Sequence, residues 1–319
     1  MRAIVYRRPG ASSVLELTER AIPEPGPGEL RVRVLAGERV VRLERALSLQ
    51  NSELRNANER IHSGLRAAAR VQQSMLPRHD IRTSKVRATW TYVPTEELAG
   101  DAIGLHLIED RFLVAYVLDV SGHGVPAALL SVAAMHALEP EPFETSLLRD
   151  MRPSDPELGS VRRPGRVLTE LNRRFRSQDT DRRFFTMILC VLDTRECRMH
   201  IACAGHPAPL VIRNGGARPV PDVGGVPIAI IDSEEYEDVQ IDLQPGDRIC
   251  LFSDGIIEQF NGSGEQFGTD RICHALTSRS PEPAERLPEL VVDDLASWAG
   301  SRAFDDDVTC LLIECLNTG

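Results

Sequence analysis

The sequence predicts an α/β protein of the α+β type: a two-layer antiparallel sheet structure with helices packed outside, preceded by one long helix. Three observations predict it. Apolar runs of strand length recur from Lys85 to Glu314, and several sit in pairs about turn residues, as hairpins do. A few helical stretches are inserted among them, which suits helices lying on the outside of a layered sheet. Ahead of all of these, Val40, Leu47, Leu54, Ile61, Ala68 and Met75 recur every seven residues.

Residues 1–37 form a short β-rich segment by this reading, two strands about a proline-rich connector. Met1-Arg-Ala-Ile-Val-Tyr-Arg-Arg-Pro-Gly10 and Pro23-Glu-Pro-Gly-Pro-Gly-Glu-Leu-Arg-Val-Arg-Val34 resemble the start of quinone-oxidoreductase-type medium-chain dehydrogenases. That resemblance brings no glycine-rich nicotinamide-binding turn with it. Residues 38–76 read as a linker helix that Pro77 ends. Its second rail is Leu43, Gln50, Ala57, Gly64 and Val71, apolar at the ends and weak in the middle. A parallel two-stranded coiled coil, hence a homodimer, is the favoured reading; a lone amphipathic helix docking on its own domain is the alternative.

Residues 77–319 make the main domain. Strands are predicted at 86–92, 101–108, 111–119, 184–193, 197–204, 208–213, 235–243, 247–253 and 307–314. Helices are predicted at 125–138, 164–178, 268–279 and 283–299, with a long loop over 139–163.

The 319 residues carry 42% hydrophobic and 26% charged side chains, ordinary for a soluble globular protein. A formal charge of −10 argues against non-specific nucleic-acid binding and suits a protein that collects divalent cations or basic partners. No apolar stretch is long enough to span a membrane, and no signal-peptide core follows Arg7-Arg8. The seven cysteines form no CxxC pair, which points to small core residues in a reducing cytoplasm.

The chemistry centres on Asp119-Val-Ser-Gly-His-Gly124. An apolar strand leads in and a helix with Pro126 in its first turn leads out, so one carboxylate stands where the chain turns sharply. Upstream, Glu109-Asp110 looks like a two-residue hairpin turn, so facing residues have numbers adding to roughly 219–220. Asp101 and Asp119 then fall side by side, and two adjacent carboxylates resist joint ionisation unless a cation lies between them. The pattern repeats. Asp254 ends the strand of Gly246-Asp-Arg-Ile-Cys-Leu-Phe-Ser-Asp-Gly255, and Asp305-Asp-Asp307 opens another. An oxygen-only set of carboxylates, with no His or Cys at ligand spacing, favours Mg²⁺ or Mn²⁺ over zinc.

Together with Ala68-Ala-Arg-Val-Gln-Gln-Ser-Met-Leu-Pro77, Leu98-Ala-Gly-Asp101, Leu118-Asp-Val-Ser-Gly-His-Gly-Val-Pro-Ala-Ala-Leu-Leu130, Ala204-Gly-His-Pro207 and Asp306-Asp-Val-Thr309, these stretches resemble the RsbU/SpoIIE-type bacterial protein serine/threonine phosphatases of the PPM (protein phosphatase 2C-like) family. The resemblance implies an antiparallel β-sandwich flanked by helices, with two Mn²⁺ or Mg²⁺ ions on one rim. By position, Asp119 would bridge both ions and the Val120 carbonyl would ligate one. Asp101, Asp254 and Asp306 would complete the shell, with Asp307 as the other candidate for the last place. A metal-bridging hydroxide would attack phosphoserine or phosphothreonine, and the substrate would be a phosphorylated anti-sigma-factor antagonist. The family often has Gly and an acid where this chain has Ala99 and Gly104. His123 does not align with the histidine that eukaryotic relatives use as general acid; it could orient water or phosphate, or simply pack at the helix start. His206 is expected to shape a turn. A catalytically weak interaction module is the competing reading, and an oxidoreductase, suggested only by residues 1–36, is a third.

Overall fold

The computed structural model describes residues 2–6, 15–19, 24, 26–27, 36–78, 80–150, 155, 157–176 and 183–316. The chain divides into two compact units, Met1–Gly64 and Leu65–Gly319. The first holds an antiparallel pair, β1 (Arg2–Tyr6) and β2 (Leu15–Glu19), and most of helix α1 (Ala36–Met75). β1 lies where the sequence places a strand. Its partner is Leu15–Glu19, with Ile4 opposite Leu17. The second strand expected within 23–34 lies outside the described residues, which there include only Glu24, Gly26 and Pro27.

α1 changes character at the unit boundary. From Arg42 to Ile61 its side chains are exposed, whereas Leu65, Ala69, Gln72 and Leu76 turn inward. That 4–3–4 spacing is one helix face packed within the second unit, to which residues 65–76 belong.

The second unit runs β3 (Ile81–Arg82), β4 (Val86–Val93), β5 (Ala102–Ile108), β6 (Phe112–Val120), α2 (Val125–Ala137), α3 (Pro164–Arg174), β7 (Phe185–Asp193), β8 (Arg198–Ala204), β9 (Leu210–Arg213), β10 (Gly216–Pro219), β11 (Val239–Asp242), β12 (Arg248–Phe252), α4 (Asp254–Ile257), α5 (Gly268–Ser278), α6 (Leu287–Ala299) and β13 (Val308–Cys315). One sheet has the order β10-β9-β12-β13-β4-β3 and the other β11-β8-β7-β6-β5, with antiparallel neighbours throughout. α2 and α3 cover the second sheet, and α5 and α6 the first. The expected layering is therefore what forms.

Strand alternation builds this sandwich. In β13, Leu311, Ile313 and Cys315 enter the core between the sheets, while Val308, Cys310 and Leu312 face α5 and α6. β6 lies inside its sheet with cover on both faces, so its run from Phe112 to Leu118 is apolar throughout and buried. The hairpin turn is as read: Glu109 and Asp110 both have positive φ (55° and 50°), and the Arg111 amide donates to the Ile108 carbonyl at 3.1 Å.

Two departures have local causes. β11 is shorter than the predicted 235–243 because the stretch before it docks on α3: the Tyr236 amide donates to Thr169 Oγ1 (3.1 Å) and Asp238 accepts the Gly165 amide (2.7 Å). The single-turn α4 and the edge strands β3 and β10 are too short to leave a periodic signal.

Candidate metal centre

Register alone brings the acids to one rim. Ala102 pairs with Leu118, so Asp101 stands across from Asp119, and the hairpin arithmetic of the sequence is realised. On the other sheet Phe252 pairs with Cys310, which puts Ser253-Asp254 beside the start of β13 and its preceding acids. Asp101 is buried at 2% exposure, Asp119 and Asp254 are half-buried, and Asp306 is exposed.

The rim is tied together across the chain. Thr309 Oγ1 donates to Asp101 Oδ2 at 2.6 Å. Ser253 Oγ accepts the Thr309 amide (3.0 Å) and donates to the Asp307 carbonyl (3.2 Å). The Asp307 carboxylate is occupied on both oxygens: Oδ1 accepts Thr95 N (2.8 Å) and Thr95 Oγ1 (3.0 Å), and Oδ2 accepts Gly100 N (3.0 Å) and Asp101 N (3.4 Å). Asp306 Oδ1 accepts the Asp307 amide at 2.8 Å. Gly100 is required here: a Cβ would stand 2.9 Å from the Val120 carbonyl oxygen and 3.5 Å from Asp119 Oδ1. From α1, Gln72 clamps the same loop, accepting the Ala99 amide (3.3 Å) while donating to the Ala99 carbonyl (2.8 Å) and to Ser131 Oγ on α2 (3.1 Å).

The electrostatics follow from packing like charges in a poorly solvated place. Burial, then the charge of Asp119, pushes the Asp101 carboxyl well above the usual carboxylate range, against the lowering effect of the Thr309 bond. Burial, then Asp254, Asp306 and Asp307, pushes Asp119 up to about 8. Burial, then Asp306 and Glu258, pushes Asp254 up to about 6. Burial also raises Asp306, an effect His123 opposes. Such a set is destabilised by ionisation unless a cation shares the space.

The donor chemistry fits hard divalent ions: all the side-chain donors are oxygens. Among the described residues no three His, Cys, Asp or Glu side chains are drawn in tightly enough to make a ready ligand shell.

The remaining sequence candidates fall as follows. Val120 ends β6 with its carbonyl beside Gly100. His123 is exposed, its Nδ1 3.2 Å from Glu96 Oε1 beyond the acidic rim. Gly104 lies away from the rim: the Tyr116 ring fills the place of any side chain, 1.9 Å from an added Cβ, so glycine there answers to packing. The sequence does not single out Thr309, Thr95, Gln72 or Glu258. Thr309 ends the Asp306-Asp-Val-Thr match, and Glu258 lies four residues, about one helical turn, beyond Asp254; those are the signals that could have found these two.

Two facing antiparallel sheets between helical layers, with carboxylates gathered on one rim, define the PP2C-type phosphatase fold. The SiaA-PP2C domain of Pseudomonas aeruginosa shares it, with a TM-score of 0.66 at 23% identity over 82% of this chain and 99% of that one. So does the phosphatase domain of the cell-fate determinant SpoIIE from Bacillus subtilis, solved with a fragment of its regulatory domain, with a TM-score of 0.59 at 18% identity over 74% of this chain and 64% of that one. Within that class, residues 109–316 match the family model Stage II sporulation protein E (SpoIIE), and the chain belongs to this family. Among curated relatives, phosphoserine phosphatase RsbP of Bacillus subtilis is 24% identical over 254 residues, covering 78% of this chain and 57% of RsbP. Phosphoserine phosphatase RsbU of the same organism is 26% identical over 211 residues, covering 66% of this chain and 58% of RsbU. The chain thus matches little more than half the length of either. No described helix is long and apolar enough to cross a membrane.

Proposed function

We propose that this protein is a metal-dependent serine/threonine phosphoprotein phosphatase. The observation that carries the reading is the buried Asp101 beside Asp119, joined on the same rim by Asp254 and Asp306 from the opposite sheet. The names of the curated relatives support the activity, and a solved relative of the same fold, RsbX, is a magnesium complex (TM-score 0.52, 14% identity). Mn²⁺ or Mg²⁺, two ions in all, would be held by Asp119 between them, by Asp101, Asp254 and Asp306, and by the Val120 carbonyl. Asp307, with both oxygens engaged, holds the 95–101 loop in place rather than serving as a ligand. When bound, the ions supply a water activated at neutral pH and positive charge for an in-line displacement at phosphorus. The chain's own part is to fix the carboxylates, to give up the proton that Asp119 retains when cations are absent, and to leave His123 and Glu96 exposed where a phosphoprotein would approach.

The substrate proposed is a phosphorylated anti-sigma-factor antagonist, dephosphorylated in the cytoplasm in a partner-switching pathway. The organisation proposed is a 1–37 segment, a 38–76 linker and a 77–319 phosphatase domain, dimeric through the linker. Leu47, Leu54 and Ile61 on the heptad seam are 60–69% exposed. The test is hydrolysis of p-nitrophenyl phosphate and of candidate phosphorylated antagonists with Mn²⁺, beside Asp254→Asn. Metal-dependent turnover lost in the variant supports the reading; equal rates would favour a non-catalytic interaction module.

A further inference from the structure

The chain leaves one sheet for the other at Ala204-Gly-His-Pro207, between the end of β8 and the start of β9. This crossover lies at the rim that carries the acids. Gly205 bridges to Met187 near the start of β7, and Thr186, one residue earlier, stands directly opposite Asp119. The crossover is tightly held: a Cβ on Gly205, which has φ 65°, would stand 2.4 Å from the Pro227 ring, and the Cys203 thiol donates to the His206 carbonyl at 3.2 Å.

His206 is buried, 6% exposed, and takes no part in the reading above. Its Nδ1 lies 2.7 Å from Thr186 Oγ1. Its Nε2 is buried beside the Phe252 carbonyl, near enough for that carbonyl to favour the protonated ring but short of full hydrogen-bond geometry. Burial holds the imidazole neutral, so it carries one ring proton. The Phe252 carbonyl beside Nε2 favours the tautomer that carries the proton there, which leaves Nδ1 to accept from the Thr186 hydroxyl. Phe252 is two residues before Asp254. The imidazole therefore stands between the neighbour of Asp119 on one sheet and the strand that delivers Asp254 on the other.

We propose that Thr186 and His206 are positioning residues: a buried brace between the sheets that sets the spacing of Asp119 and Asp254 and so the affinity of the rim for divalent cations. An unmet buried donor is costly. A small approach of the β12 end toward the imidazole would satisfy Nε2 and carry Asp254 toward Asp119, the same movement that two carboxylates sharing a cation need. Cation binding and the Nε2 bond are thereby coupled. Supporting groups of this kind typically change metal affinity by about 10–100-fold when removed.

The inference rests on the metal-dependent reading, and the test separates the two. Mn²⁺ is titrated calorimetrically into the full chain and into Thr186→Val and Thr186→Ser, with thermal melts as a check on folding. In parallel, the His206 ring nitrogens of the unmutated protein are followed by ¹⁵N NMR during a Mg²⁺ titration. We expect Thr186→Val to weaken Mn²⁺ binding about tenfold, Thr186→Ser to stay near the unmutated value, and the Nε2 resonance to move as its hydrogen bond forms. Unchanged affinity in Thr186→Val, equal loss in both variants, or an Nε2 signal indifferent to Mg²⁺ would overturn the brace. If Thr186→Val does not fold, the NMR titration decides. An unmutated protein that binds no divalent cation would instead overturn the metal-dependent reading itself.

Discussion

Thr309 on β13 donates its hydroxyl to Asp101 across 2.6 Å, joining residues more than two hundred positions apart at a site where both are buried. The bond favours the ionised form of an acid that burial and Asp119 otherwise keep protonated. It also fixes one Asp101 oxygen.

Thr309→Val removes that donor without changing the side-chain shape. The lost bond to a buried carboxyl should cost about 1–3 kcal/mol of stability and raise the Mn²⁺ concentration for half-maximal hydrolysis about tenfold. Thr309→Ser should recover most of both. Urea unfolding and a metal titration of activity measure the two effects.

The raised acids fix a pH dependence in the metal-free protein. Burial and the neighbouring acids push Asp119 up to about 8 and Asp254 up to about 6 in the folded chain, against about 3.9 in an unfolded chain. Between those values the folded state binds more protons than the unfolded state, so stability falls as pH rises. With chelator present, the melting temperature should drop from pH 5 to pH 8, and Asp119→Asn should flatten the slope. Saturating Mn²⁺ should oppose the drop, since a ligand at a hundred times its dissociation constant stabilises by about 2.7 kcal/mol.

Much of this site is legible in the sequence, and the reason is register. Once Glu109-Asp110 is taken as a turn, strand pairing places Asp101 against Asp119 with no further information. Asp254 and Asp306 follow from strand ends. What stays hidden is which oxygen of which acid is free. Asp306 and Asp307 are equivalent as neighbours in a string of acids; only the fold brings Thr95, Gly100 and Asp101 amides to Asp307 and leaves Asp306 exposed. His206 reads as a turn residue between Gly205 and Pro207, yet it is buried, because the turn is where the chain passes between two sheets. The heptad of α1 likewise marks a helix over 38–76, found at Ala36–Met75, but does not reveal that Leu65, Ala69 and Gln72 in its last turns pack inside the second unit.

Gln72→Ala should be felt at the acidic rim although it lies on α1. It removes the clamp on both backbone groups of Ala99 and the bond to Ser131, leaving buried polar groups unpaired. A loss of about 1–3 kcal/mol in stability should accompany weaker Mn²⁺-dependent activity. Chemical denaturation and metal titration of the same samples check it.

Placing aspartate at both Leu54 and Ile61 should abolish self-association through the linker, because both residues sit on the exposed heptad seam. Sedimentation equilibrium at micromolar concentration should show a dimer for the unmutated protein and a monomer for the variant. A monomer in both cases removes the proposed role of the linker, while the phosphatase reading stands.

The most direct measurement is calorimetric titration of Mn²⁺ into the chelator-treated protein at neutral pH, beside Asp119→Asn. The account predicts saturable binding that releases protons, seen as a heat that varies with the buffer's ionisation enthalpy, and loss of that binding in the variant. Absence of binding to the unmutated chain, or equal binding by Asp119→Asn, would contradict it.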